Sequence, residues 1–155
     1  MKTLWRISNY SDLSGKGSRG AASRWHSSGR AIVYLAESAA GAMLEHVASL
    51  MDPDADGDLP RVYQLLQVSV AEECRMKSLS KLPQPDWREH PEVTRAIGDA
   101  WLAASETPLA RVPSAILPQT WNYLLNPEHP DAKQVQVAEV IKERLNTGIF
   151  RSESR

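Results

Sequence analysis

The segment that most restricts the fold is Ala31-Ile32-Val33-Tyr34-Leu35, a β-branched and aromatic run that stops at Glu37-Ser38 and passes directly into the small, apolar stretch Ala39 to Met51. Branched and aromatic side chains suit a pleated, half-buried surface, and a serine just ahead of a helix can accept a hydrogen bond from its free amides. A strand is therefore expected over 31–35, followed by a helix with Ser38 as N-cap that runs to about Met51. A unit of this kind buries its apolar surfaces only by joining a larger sheet with the helix laid on one face.

The rest of the chain supplies that sheet. Leu4, Trp5 and Ile7 form a short strand pattern over residues 3–8, and Val62 to Val70 alternates as a strand does. Leu109 to Leu117 and Trp121 to Leu125 read as two more strands joined by Pro118-Gln119-Thr120. Between them Val93, Ala96, Ile97, Ala100 and Trp101 recur at helical spacing, so a helix is expected from Asp86 to about Ala103, with Pro91 tolerated in its first turn. Gln134 to Val140 alternates valine with glutamine and is compatible with strand or helix. The small residues of Ser14 to Gly20 read as a mobile loop near 14–20, and residues 147–155 as a ragged C-terminus. Asp52 to Asp58 is an acidic turn; counted from Asp52, the twelfth position where a calcium loop needs glutamate holds Tyr63. The expected architecture is α+β: a single domain over 1–155, with a mixed β-sheet core and flanking helices.

Composition removes several functions. Eighteen Lys plus Arg against nineteen Asp plus Glu leave a net charge of -1, so no field draws in a polyanion and direct nucleic-acid binding is not expected. Cys74 is the single cysteine, which excludes an intrachain disulfide and fits a reducing compartment. Met1 to Arg6 has no apolar core of signal-peptide length and no later run is long enough for a membrane span, so a cytoplasmic location is expected. No His or Cys spacing suits a metal, no Gly-x-Gly-x-x-Gly or P-loop frame occurs, and Ser114 lacks the Gly-x-Ser-x-Gly turn of hydrolases.

Glu45 is the residue with a chemical signal of its own. It is the only carboxylate in a helix whose other positions from Ala39 to Met51 are apolar or small nearly all round. Either the helix is buried and the acid is paired or employed, since desolvating a lone charge is costly, or Glu45 marks the one point that faces water. Arg24, in Ser23-Arg24-Trp25-His26-Ser27-Ser28-Gly29, can clamp a phosphate or carboxylate or can cap a turn, and His26 carries the same two readings. Tyr34 by itself reads as a core aromatic.

Arg24 to Ser38 followed by Leu44-Glu45 resembles the first signature of the RES family, which takes its name from an arginine, a glutamate and a serine. Ile97-Gly98-Asp99-Ala100-Trp101-Leu102, then Val112-Pro113-Ser114, then Asn122 to Pro127 with His129 resemble the second. The resemblance implies a fold similar to ADP-ribosyltransferases, with a cleft for NAD as substrate and no metal. It also implies the role of toxin in a type II toxin–antitoxin pair, whose partner is an Xre-type antitoxin that occludes the cleft. By the same resemblance Arg24, Tyr34 and Glu45 are catalytic, and Arg6, Arg24, His26, Tyr34, Ser114 and Asn122 bind the dinucleotide. Glu45 would stabilise positive charge on the ribose, Arg24 and Arg6 would hold the pyrophosphate, Tyr34 would pack against or hydrogen-bond the nicotinamide end, and Ser114 and Asn122 would fix polar groups of the nucleotide. A host protein is the expected acceptor of ADP-ribose; water, phosphate, or an inactive cleft that only binds antitoxin are the alternatives.

Overall fold

The computed structural model describes residues 1–51 and 61–145. The acidic turn at 52–58 and the C-terminal stretch 147–155 lie outside the described residues. In chain order the elements are β1 (Lys2–Ile7), β2 (Val33–Ala36), α1 (Ala39–Leu50), β3 (Val62–Val70), β4 (Met76–Ser78), α2 (Pro91–Ala104), β5 (Leu109–Pro113), β6 (Trp121–Leu125) and β7 (Val135–Arg144). The strands form one seven-stranded sheet in the order β4-β5-β6-β2-β1-β3-β7. Neighbours run antiparallel except β4 and β5, so the sheet is mixed and the architecture is α+β, as the sequence implies.

Strand alternation divides the core into two layers. One face buries Leu4, Val33, Leu35, Leu66, Val68, Leu109, Tyr123 and Leu125, with Leu13 and Ala132 from loops packed over it. The other buries Ile32, Ala110, Val112 and Leu124 against Trp25 and against Trp101 and Leu102 of α2. Each fully buried side chain of this size contributes roughly 1.5–3 kcal/mol. β1 pairs with β3 over six residues but with β2 at Trp5–Ala36 alone. That sparse seam is where the sheet admits a cleft.

Ser38 caps α1 as expected, its Oγ accepting from the Gly41 amide at 2.9 Å. The helix is not encased, however: only Ala42 is fully buried and Leu44 is 37 % exposed. Its small residues permit close approach, since a Cβ at Gly41 would sit 3.1 Å from Ser38 Oγ and 3.5 Å from Ala36 Cβ.

Three local expectations are revised and one left open is settled. Proline at the first position starts α2 at Pro91, after a separate 3-10 turn at Trp87–Glu89, and the helix ends at Ser105 in the left-handed region. The strand expected over 109–117 stops at Pro113, where Ser114 gathers the following amides into a turn. Residues 134–140 belong to a ten-residue edge strand, β7. The small-residue segment at 14–20 is fastened: it holds a 3-10 turn at Lys16–Ser18, with Ser18 Oγ accepting from the Ile32 amide at 2.9 Å and donating to Gly15 O at 2.7 Å. Gly15 has φ 74°, and a Cβ there would lie 3.0 Å from the Ile32 nitrogen, so glycine is required.

Candidate active site

Glu45 projects from α1 toward the ends of β5 and β6. Ser114 Oγ donates to Glu45 Oε1 at 2.7 Å, and Asn122 Nδ2 donates to the same oxygen at 2.7 Å. Ser114 is 1 % exposed, and its oxygen also accepts from the Ile116 and Leu117 amides at 3.1 and 3.2 Å. A hydroxyl has one proton to give, and here the carboxylate takes it. Among the described residues no donor reaches Oε2, so one oxygen of Glu45 is anchored and the other is left to the cleft.

That cleft has a volume of about 440 Å³, within the range of small-molecule sites, and Trp5, Arg6, Arg24, Tyr34, Glu45 and Asn122 are on its wall. Asn122 and Tyr34 reach it from adjacent strands, because β2 and β6 pair Ala36 with Asn122 and Tyr34 with Leu124, placing these residues on one face.

Arg24 lies on no regular element, and α2 holds it in place. Thr94 Oγ1 donates to the Arg24 carbonyl at 2.6 Å, Arg95 Nε to the Ser23 carbonyl at 3.0 Å, and Asp99 accepts from both the amide and the hydroxyl of Ser27. Gly98 makes the approach possible: a Cβ there would fall 1.7 Å from the Trp25 carbonyl oxygen. The Arg24 guanidinium donates to the Arg88 carbonyl at 2.9 Å. Burial and the like charges of Arg88 and Arg95 lower its pKa, while Glu45 opposes the shift.

Tyr34 and His26 form a relay behind the cleft. The Tyr34 hydroxyl accepts from the Trp25 amide at 3.2 Å and meets His26 Nδ1 at 2.6 Å. His26 Nε2 lies 2.9 Å from the Ser18 carbonyl, which can only accept. Nε2 therefore carries the proton, Nδ1 accepts, and Tyr34 donates to it. Burial pushes the Tyr34 pKa up to about 12, so the hydroxyl stays protonated and spent inward.

The structure thus redistributes the residues singled out in the sequence. Glu45, Arg24, Tyr34 and Asn122 converge on the cleft. His26 is 1 % exposed, has both ring nitrogens engaged by Tyr34 and the Ser18 carbonyl, and does not line the cleft. Ser114 likewise does not line the cleft, and its hydroxyl donates to Glu45. Arg6 borders the cleft, but by alternation it shares the face of Leu4, and burial lowers its pKa while Asp12 of the following loop raises it. Two residues that the sequence pattern does not single out, His46 and Trp5, also line the cleft; the position of His46 beside Glu45 in an apolar helix is the available signal. Arg88 and Arg95 are equally silent in the sequence, because their contacts are ones no local pattern encodes, whereas Gly98 falls within the second signature. Among the described residues no three of His, Cys, Asp and Glu gather as a metal site, and no helix is long and apolar enough to cross a membrane.

Residues 3–147 match the RES domain family, nearly the whole chain. The chain belongs to the RES family. It is 44 % identical over 135 residues to a Pseudomonas putida protein named Toxin Res, covering 86 % of this chain and 90 % of that one. It is 36 % identical over 152 residues to a Sphingobium protein named Prs ADP-ribosylating toxin, covering 90 % of this chain and 91 % of that one. Among solved structures its fold matches one described as the M. tuberculosis MbcT-MbcA toxin-antitoxin complex, with a TM-score of 0.71, 19 % identity, and coverage of 92 % of this chain and 84 % of that one. In this RES chain the two sequence signatures meet physically, since Glu45 from the first is held by Ser114 and Asn122 from the second.

Proposed function

We propose that this RES chain is the toxin of a type II toxin–antitoxin pair, which acts in the cytoplasm by breaking the nicotinamide–ribose bond of NAD and passing ADP-ribose to a host protein. The observation that carries the reading is Glu45, a single carboxylate with one oxygen fixed by two donors and the other open to a cleft that Arg24 borders. When the bond breaks, its electron pair leaves with the nicotinamide nitrogen, which becomes neutral without needing a general acid. Positive charge then develops on the ribose, and the preoriented carboxylate of Glu45 stabilises it. The acceptor's nucleophile bonds to that carbon and gives up its proton to water. Tyr34 has its hydroxyl turned away, so it offers the nicotinamide end its ring for packing. The name of the Sphingobium relative favours a protein acceptor.

One feature favours a second reading, hydrolysis to free ADP-ribose. His46 lines the cleft next to Glu45, and burial lowers its pKa, which keeps the imidazole neutral and able to take a proton from water. An Xre-type antitoxin seated over the cleft is the partner this reading requires, in keeping with relatives named as toxins.

Purified protein given NAD labelled on the adenylate distinguishes these outcomes. Nicotinamide release with label on a protein band of a cell extract supports transfer, and free ADP-ribose supports hydrolysis. ADP-ribose joined to phosphate means phosphorolysis. With neither nicotinamide release nor label, the chain is a binding module for its antitoxin.

A further inference from the structure

Two arginines are left without a role by this reading. Arg88, in the 3-10 turn before α2, donates from Nε to the Ala115 carbonyl at 2.6 Å and from Nη2 to the Ile116 carbonyl at 3.0 Å, while its own carbonyl receives Arg24. Arg95 donates from Nε to the Ser23 carbonyl at 3.0 Å. Ser23, Ala115 and Ile116 line the cleft, so both guanidinium groups are moored to the backbone of its rim beside Arg24, although of the three arginines only Arg24 lines it.

The mooring groups are neutral carbonyls, which orient a guanidinium without cancelling its charge. Among the described residues no carboxylate lies within 4 Å of Arg24, Arg88 or Arg95. Of the acids around the turn, Asp86 and Glu92 hydrogen-bond His90 at 3.1 and 3.0 Å, and Glu92 feels the charge of Arg95 without a salt bridge to it. Each guanidinium has five N–H groups; Arg88 spends two and Arg95 one on the described residues. Like charges near enough to depress one another's proton affinity cost free energy, which a bound anion returns.

We propose that Arg88 and Arg95 complete, with Arg24, an anion site at the rim of the cleft that takes a diphosphate, the group bridging the two halves of a dinucleotide. This rests on the NAD reading above and changes it in one respect. The partner of Arg24 in holding the pyrophosphate is the pair Arg88 and Arg95 and not Arg6, which by strand alternation shares the sheet face of Leu4.

Titration calorimetry on the full chain with inorganic pyrophosphate, ADP-ribose and adenosine tests the site. The wild type is expected to bind pyrophosphate and ADP-ribose. The double variant Arg88→Gln/Arg95→Gln should weaken both at least tenfold, about 1.4 kcal/mol, and leave adenosine unchanged. Arg88→Lys keeps the charge while losing the fork on residues 115–116, so it should retain most pyrophosphate affinity; this separates charge from a displaced loop. The site is refuted if the wild type binds no pyrophosphate, if the double variant binds it within twofold of wild type, or if adenosine weakens in parallel. Pyrophosphate binding without nicotinamide release would reject the NAD chemistry and keep the anion site; nicotinamide release unaffected by the double variant, with unchanged pyrophosphate affinity, would reject the anion site alone.

Discussion

Glu45→Gln separates the charge of Glu45 from its shape. The side-chain oxygen of glutamine can still accept from Ser114 and Asn122, so the anchoring geometry at 2.7 Å survives and an amide replaces the open oxygen. Each of the two hydrogen bonds falls from the charge-assisted range of about 1.5–3 kcal/mol to the neutral range of about 0.5–1.5. The neutral side chain also costs less to desolvate, which returns part of that loss. A net change of about 1 kcal/mol moves Tm by roughly 2–4 °C in a chain of this size. The loss to the reaction is much larger. A full charge about 4 Å from the developing cation, at an effective dielectric near 20, is worth about 4 kcal/mol, or about a thousandfold in rate. Nicotinamide release by wild type and variant, alongside thermal unfolding, gives both quantities. A Glu45→Gln variant that keeps more than about a tenth of the wild-type rate with an unshifted Tm would refute the assigned role of this carboxylate. Ser114→Ala and Asn122→Ala should each slow release by about ten- to a hundredfold, and their combination by less than the product, because both anchor one oxygen.

Gly98→Ala places a methyl 1.7 Å from the Trp25 carbonyl, inside any contact distance. α2 and the Ser23–Ser27 segment must separate, so a loss of more than about 3 kcal/mol in urea unfolding is expected, together with loss of nicotinamide release. Tyr34 makes stability fall at high pH. Its folded pKa of about 12 exceeds the unfolded value of 10.0, so the folded state retains a proton that the unfolded state loses. Its stabilising contribution is complete below pH 10 and is lost as pH rises toward 12, by up to about 2.7 kcal/mol. Unfolding series from pH 8 to 12 should show a steeper decline for wild type than for Tyr34→Phe; parallel curves would contradict the burial of this hydroxyl.

The legible parts of the chain are those governed by near neighbours. Ser38 announces the start of α1 because a cap acts three residues ahead, and Glu45 stands out because an acid in an apolar helix needs a reason. The apolar character of α1 misleads about burial: Gly41 allows close approach to Ala36 of β2 and Ala42 is buried, while Leu44 is exposed. Ser114 and Asn122 lie 69 and 77 residues from Glu45, and no periodicity reports such a contact. His26 comes with its motif, but nothing local tells whether a side chain beside a strand faces the cleft or the interior. β4 has three residues and all are exposed, too short for a pattern.

These contacts divide the signature residues into those that face the cleft and those that set the ones that do. Arg24, Tyr34, Glu45 and Asn122 line it. Ser114 fixes Glu45, His26 fixes Tyr34, and Gly98 with Asp99 fixes the segment that carries Arg24. The supporting partners come from elsewhere in the chain, and the polar capacity of Ser114 and His26 is used up in the support. A motif match at Ser114 or Gly98 therefore predicts an ordered site and not a ligand contact. Substitutions at these two classes should also differ in kind: those at the supporting positions should lower Tm and activity together, whereas Glu45→Gln should cost about a thousandfold in rate for a Tm shift of only roughly 2–4 °C.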